Sequence, residues 1–141
     1  MADTLQLRIV TPERLVVEDA AQQVQIPGKN GELGILPGHA PLITELGMGE
    51  IAYRPAAASA KNDASMKHLA VAWGFAEVLP DRVTILAETA EKAEEIDVAR
   101  AERAKQRAEE RLAKPSEEVD FQRCQIALQR AVVRLEVAEK R

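Results

Sequence analysis

The 141-residue chain contains one cysteine, four aromatic residues and no glycine beyond Gly74. A lone Cys124 cannot close an internal disulfide, which suits a reducing, cytoplasmic compartment. With so few aromatics, any core must be filled by Val, Ile, Leu and some of the 24 alanines. No uncharged apolar run approaches the ~20 residues of a membrane span, so direct membrane insertion is not expected. Residues 1–10 combine neither a basic region nor an apolar core, so no signal or transit peptide is expected there. The net charge of −4 argues against nucleic acid as a partner.

What is present is unevenly spread. All seven glycines and six of the seven prolines precede residue 81. Residues 91–141 hold one proline and 24 charged residues, whereas residues 1–90 hold only 18. The negative charge sits in residues 1–90, with 7 basic and 11 acidic side chains, while the remainder is balanced at 12 and 12. Two kinds of chain are joined, with the boundary placed between 1–90 and 91–141.

The first part reads as sheet. Leu5, Leu7 and Ile9 alternate with Gln6 and Arg8, the period of a strand with one buried face. Further apolar runs fall at 15–17, 24–26, 33–36, 43–46, 51–53, 69–79 and 83–86. Turn dipeptides Pro27-Gly28 and Pro37-Gly38 separate some of them, and short strands at this spacing predict a β-sandwich or barrel. Residues 55–65, rich in Ala, Ser, Lys and Asn, lack periodicity and read as a solvated hairpin tip.

The second part reads as two helices. Residues 97–112 contain no breaker and are dominated by strong helix formers. Pro115-Ser116 interrupts, and Ser116 is the expected N-cap of a second helix running to about Glu139. Its apolar stripe is Phe121, Cys124, Leu128, Ala131, Leu135 and Ala138, matched on the first helix by Ala101, Ala104, Ala108 and Leu112. The short connection makes the helices antiparallel neighbours. The fold class is therefore α+β: an N-terminal antiparallel β-sandwich followed by a C-terminal two-helix antiparallel hairpin.

Arginines flank this seam. Arg100, Arg103, Arg107 and Arg111 form one column, and Arg123, Arg130 and Arg134 another, with no acid between residues 121 and 135. For the first column a solvated face partly paired with Glu102, Glu109 and Glu110 and a convergent cation cluster stand equal; Arg130 and Arg134 point to an anion, either phosphates or an acidic helix.

Catalytic patterns are weak. His39 and His68 have no neighbouring ligands in sequence, so no metal site is expected. Gly28, Gly31 and Gly34 lack a following Gly-Lys-Ser/Thr and suit turns better than phosphate binding. The chain does not read as an enzyme.

Three segments carry a resemblance. Residues 26–42, Ile-Pro-Gly-Lys-Asn-Gly-Glu-Leu-Gly-Ile-Leu-Pro-Gly-His-Ala-Pro-Leu, resemble the signature loop of the epsilon subunit family of bacterial and plastid rotary ATP synthases, whose mitochondrial counterpart is called delta. Residues 74–91 resemble the end of that family's β domain, and Ile96-Asp97-Val-Ala-Arg100-Ala101 is similar to its Ile/Leu-Asp-x-x-Arg-Ala motif. The resemblance implies a sandwich of about ten strands at the foot of the central stalk, contacting the gamma subunit and the loops of the c-ring. It implies a peripheral, non-catalytic role on the cytoplasmic face of the bacterial membrane. On the loop of residues 32–39 it makes Glu32 and His39 candidate ring contacts.

The same resemblance implies that the hairpin is a regulatory arm: folded on the sandwich it permits turnover, and extended it reaches the alpha and beta subunits and inhibits ATP hydrolysis. No cofactor is required, but some relatives bind ATP as a regulatory ligand in the folded form. The matching positions here are Glu91, Ile96, Asp97, Arg100, Ala101, Arg107, Arg130 and Arg134. In the extended form Arg123, Arg130 and Arg134 are the candidate contacts to an acidic segment of the catalytic subunit. Trp73 departs from the pattern, standing where a small residue is typical, and the loop at 55–65 looks long. The competing reading is a free-standing β-sandwich binding module that dimerises through its hairpin.

Overall fold

A computed structural model describes residues 3–59, 61–114 and 120–141. Six strands, β1 (Leu5–Val10), β2 (Leu15–Gly28), β3 (Gly31–Ile35), β4 (Leu42–Pro55), β5 (Lys67–Leu79) and β6 (Arg82–Lys92), precede two helices, α1 (Val98–Ala113) and α2 (Phe121–Ala138). The sheet order is β1-β6-β5-β4-β2-β3, and β1 also pairs with β2, so the sheet closes on itself. All pairings are antiparallel except β1 with β6.

Six long strands replace the ten short ones expected, because β2, β4, β5 and β6 turn a corner without ending. The side chains facing the core show where. On β5 they are Leu69 and Val71, then Ala76 and Val78, a change from odd to even positions. Tyr53 and Ile51 against Leu46 on β4, and Ala87 against Ala90 on β6, change in the same way. On β2 the change lies between Ala21 and Val24, where the pairing with β4 also shifts register. Since strand side chains alternate strictly, an odd step means that the backbone has rotated locally while keeping its inner face on the core. On β5 the rotation is visible as positive φ at two successive residues, Trp73 (52°) and Gly74 (122°). Gly74 is obligatory there: a Cβ would lie 1.9 Å from the Leu86 carbonyl oxygen. The corner folds one sheet into two layers around an aliphatic core in which, among the described residues, Tyr53 is the only aromatic side chain.

Turns close the strand ends. At Gly31 a φ of 137° completes the β2–β3 hairpin, the role expected of the glycine cluster. The long β4–β5 connection contains a 3-10 turn at Asp63–Ser65.

Both helices start with the same device. Asp97 Oδ1 accepts from the Arg100 amide and Asp120 Oδ1 from the Arg123 amide, each at 3.1 Å. The expected cap Ser116 lies outside the described residues, and the cap of α2 is Asp120. Ala101 and Ala108 of α1 are buried, as are Cys124, Ala131 and Ala138 of α2, so small side chains let the helices pack closely. Phe121, at the first position of α2, is exposed rather than part of the seam.

The hairpin lies on the sandwich mainly through α2, with Val98 of α1 packed at the edge of the same cluster. Val137 and Ala138 pack with Ala70 of β5 and with Ala93 and Ile96 of the segment leading into α1. This explains why Leu69, Ala70, Val71 and Ala72 are all buried: two face the sandwich core and two face the arm.

Candidate functional site: the junction of sandwich and arm

Along α2, positions 130, 133, 134 and 137 fall on one face of a 3.6-residue helix, and this is the face turned to the sheet. Val133 and Val137 pack in the apolar cluster, and the two arginines make different polar contacts. Val137 is fully buried. The Arg134 guanidinium grips Glu91 of β6 with two bonds, Nε to Oε1 at 2.9 Å and Nη2 to Oε2 at 3.2 Å. Such a bidentate, charge-assisted pair fixes orientation as well as distance. One turn earlier, the Arg130 guanidinium carbon lies 5.7 Å from the centre of the Trp73 ring, within cation–π range.

Two further ion pairs bracket the arm. Beyond α2, Lys140 Nζ lies 2.6 Å from Glu50 Oε2 on β4, and the other oxygen of Glu50 is held by His68 Nδ1 of β5. At the start of the arm, Arg14 Nη2 lies 2.7 Å from Glu95 Oε2. Lys140 and Arg14 are about half exposed, so these two pairs are worth little individually.

Between α2, β5 and β6 lies a cleft of about 280 Å³ lined by Met48, Ala70, Ala72, Ala90, Glu91, Arg130 and Arg134, among others. Its floor is apolar and its rim carries two cations and one carboxylate. Of the eight residues assigned to a nucleotide site, the structure brings Glu91, Arg130 and Arg134 together here. Asp97 is committed to capping α1, and Ile96 and Ala101 are buried as packing residues. Arg100 and Arg107 are exposed and do not line the cleft. Each precedes a seam alanine by one residue, as Arg130 precedes Ala131, so all three project from the same flank of the hairpin. On the opposite flank four carboxylates, Glu102, Glu109, Glu136 and Glu139, and two cations, Lys105 and Arg141, line a groove between α1 and α2.

The remaining candidates lie elsewhere. Arg123 sits in the first turn of α2, exposed and apart from the cleft. Glu32 is exposed on β3, and His39 is in the following turn, its Nδ1 donating to the Ala40 carbonyl at 2.7 Å. That turn is tied to the β5–β6 turn by the Gly38 amide, which donates to Pro80 O at 2.7 Å. Sequence reasoning missed the surface formed by Ile43, Phe75 and Leu86, which are 71%, 53% and 55% exposed. These residues sit on adjacent strands, Phe75 directly opposite Leu86, on the outer face of β4, β5 and β6. Their signal was one apolar residue beside each member of the paired rung Thr44, Ala76 and Ile85, whose other neighbours are the polar Glu45, Glu77 and Thr84.

A closed sandwich with a hairpin docked on it through a few side chains defines a two-part, α+β protein. Its family is equally clear. Residues 4–93 match the model of the ATP synthase delta/epsilon chain β-sandwich domain, and residues 94–139 that of the delta/epsilon chain long α-helix domain. The chain belongs to the ATP synthase delta/epsilon family. It is 67% identical over 112 residues to the ATP synthase epsilon chain of Koribacter versatilis, covering 79% of this chain and 74% of that one. With the epsilon chain of Syntrophobacter fumaroxidans it shares 49% identity over 140 residues, 99% of each. Its fold is similar to a chain in the mitochondrial ATP synthase of Euglena gracilis, with a TM-score of 0.72 at 21% identity over 99% of this chain and 80% of the other. Among the described residues, no helix is long and apolar enough to cross a membrane.

Proposed function

We propose that the chain is a non-catalytic central-stalk subunit of a rotary ATP synthase, attached peripherally at the cytoplasmic face of the membrane, and that its hairpin regulates ATP hydrolysis. The family relation supports the first part. The second rests on one observation: among the described residues the arm is held to the sandwich by one small apolar cluster and a few polar contacts, most of them made by one face of α2. Two states separated by a few kcal/mol are what a regulatory arm requires.

Within this reading the parts divide naturally. The outer apolar surface of Ile43, Phe75 and Leu86 docks the gamma subunit, since a contiguous exposed patch of this kind marks an interaction site. The linked turns carrying Glu32 and His39 meet the c-ring loops. Released from the sandwich, Arg123, Arg130 and Arg134 meet an acidic segment of the catalytic subunits. Removing residues 93–141 tests the regulatory role. The cut belongs after Lys92, because β6 pairs with β5 up to Leu69 opposite Lys92. The truncated subunit should stay folded, and a complex reconstituted with it should hydrolyse ATP faster; an unchanged rate rejects the regulatory arm.

A nucleotide site is the narrower proposal. The apolar cleft is of a size for a base, with Arg130 at its rim, Arg100 and Arg107 on the same flank of the hairpin outside it, and Arg134 joining them on exchange of Glu91 for a phosphate. Calorimetric titration with ATP of the full chain and of R130A/R134A should give heat only in the former; equal heats, or none, reject the site.

A further inference from the structure

Trp73 is the only non-glycine residue with positive φ among the described residues, and it is followed by Gly74, also at positive φ. The corner in β5 needs this backbone, and a glycine would adopt it without strain. A bulky side chain at φ 52° is costly, and such strain persists where the structure gains something by it. What the tryptophan adds is a ring beneath the Arg130 guanidinium, 5.7 Å away. Trp73 and Glu91 thus receive two arginines one helical turn apart.

We propose that Trp73 is the receptor for Arg130 and that this pair is a latch, holding the arm on the sandwich and withholding Arg130 from anionic partners. The proposal rests on the reading of a movable arm, but concerns what sets its threshold. Glu91 neutralises Arg134 by charge, so that contact weakens with salt. The Trp73 ring holds Arg130 without a counter-charge, leaving the guanidinium cationic and ready for transfer. An anionic partner, whether nucleotide phosphate or acidic helix, must outcompete the ring for the same side chain. Arm release and exposure of the binding cation therefore become one event.

The test is a double-mutant cycle in the full chain, W73A, R130A and the double variant, read by hydrogen exchange of the α2 amides. An exposed cation–π pair predicts that each single change speeds arm exchange about 2- to 5-fold and that the double variant is no faster than either. W73G guards against a misfolded corner: it accepts the backbone without strain and should speed arm exchange equally while leaving the β1–β6 amides slow. Multiplicative effects in the double variant, or no effect of W73G with an intact sheet, overturn the latch. If α2 in the unsubstituted chain exchanges only together with the sheet core, the movable arm fails, and the latch with it.

Discussion

Truncating Val137 to alanine separates the stability of arm docking from that of the sandwich. Val137 is fully buried in a cluster whose other buried members, Ala70, Ala93 and Ala138 besides Ile96, are mostly too small to fill a gap left beside them. Burial is worth about 0.8 kcal/mol per methylene, so losing two carbons costs about 1.6 kcal/mol, and an unrelaxed cavity brings this to about 2 kcal/mol. That is roughly a 30-fold fall in the ratio of docked to released arm. The assay is a urea titration followed by the emission of Trp73, the sole tryptophan, which sits at the junction and reports docking. Circular dichroism of the sheet, followed in parallel, reports the sandwich. With a slope of about 1–2 kcal/mol/M, the Trp73 transition should move down by about 1–2 M at unchanged slope while the sheet transition stays in place. If both transitions move together, arm and sandwich form one cooperative unit, and the reasoning that separates them is wrong.

Two further predictions concern the sandwich itself. Gly74→Ala should destabilise it by about 3–5 kcal/mol, because the new Cβ meets backbone at 1.9 Å and at positive φ, whereas Gly34→Ala, with open space around it, should change stability by less than about 0.5 kcal/mol; thermal melts of the two variants check the contrast. Tyr53, the only tyrosine, has its pKa pushed up to about 12 by burial and by the charges of Asp19 and Glu94. Its phenol ionises near 10 when unfolded, so the stability it contributes is complete below pH 10 and is lost as pH rises toward 12. The loss should be on the order of 1–2 kcal/mol after solvent screening, and should vanish in Tyr53→Phe; equal pH profiles for the two proteins would contradict it.

Much of the architecture was legible because periodicity is a local property. Alternation at Leu5, Leu7 and Ile9 gave β1, and the alanine stripes gave a close-packed hairpin. The strand count was not legible, since a corner within a strand and a turn between two strands interrupt alternation alike. Leu69 to Ala72 read as one continuous apolar run because the two faces of β5 are covered by different parts of the chain. The start of α2 could have been read: Asp120 stands three residues before Arg123, as Asp97 stands before Arg100, and the repeated spacing marks two equivalent caps.

The junction was harder because its partners are far apart in sequence. The absence of acid between residues 121 and 135 pointed to phosphates or an acidic helix as partner for Arg130 and Arg134, and could not say that Arg134 would find Glu91, 43 residues earlier in its own chain. Among the described residues Arg130 meets no anion in the docked arm but the face of a ring. This difference decides which arginine is available to a partner. Breaking the Arg134 pair leaves Glu91 an uncompensated, half-buried carboxylate, so its release is opposed from both sides. Lifting Arg130 leaves behind only an aromatic surface, with no stranded charge. An approaching anion should therefore engage Arg130 first, and the arm should peel from Trp73 before it yields at Glu91.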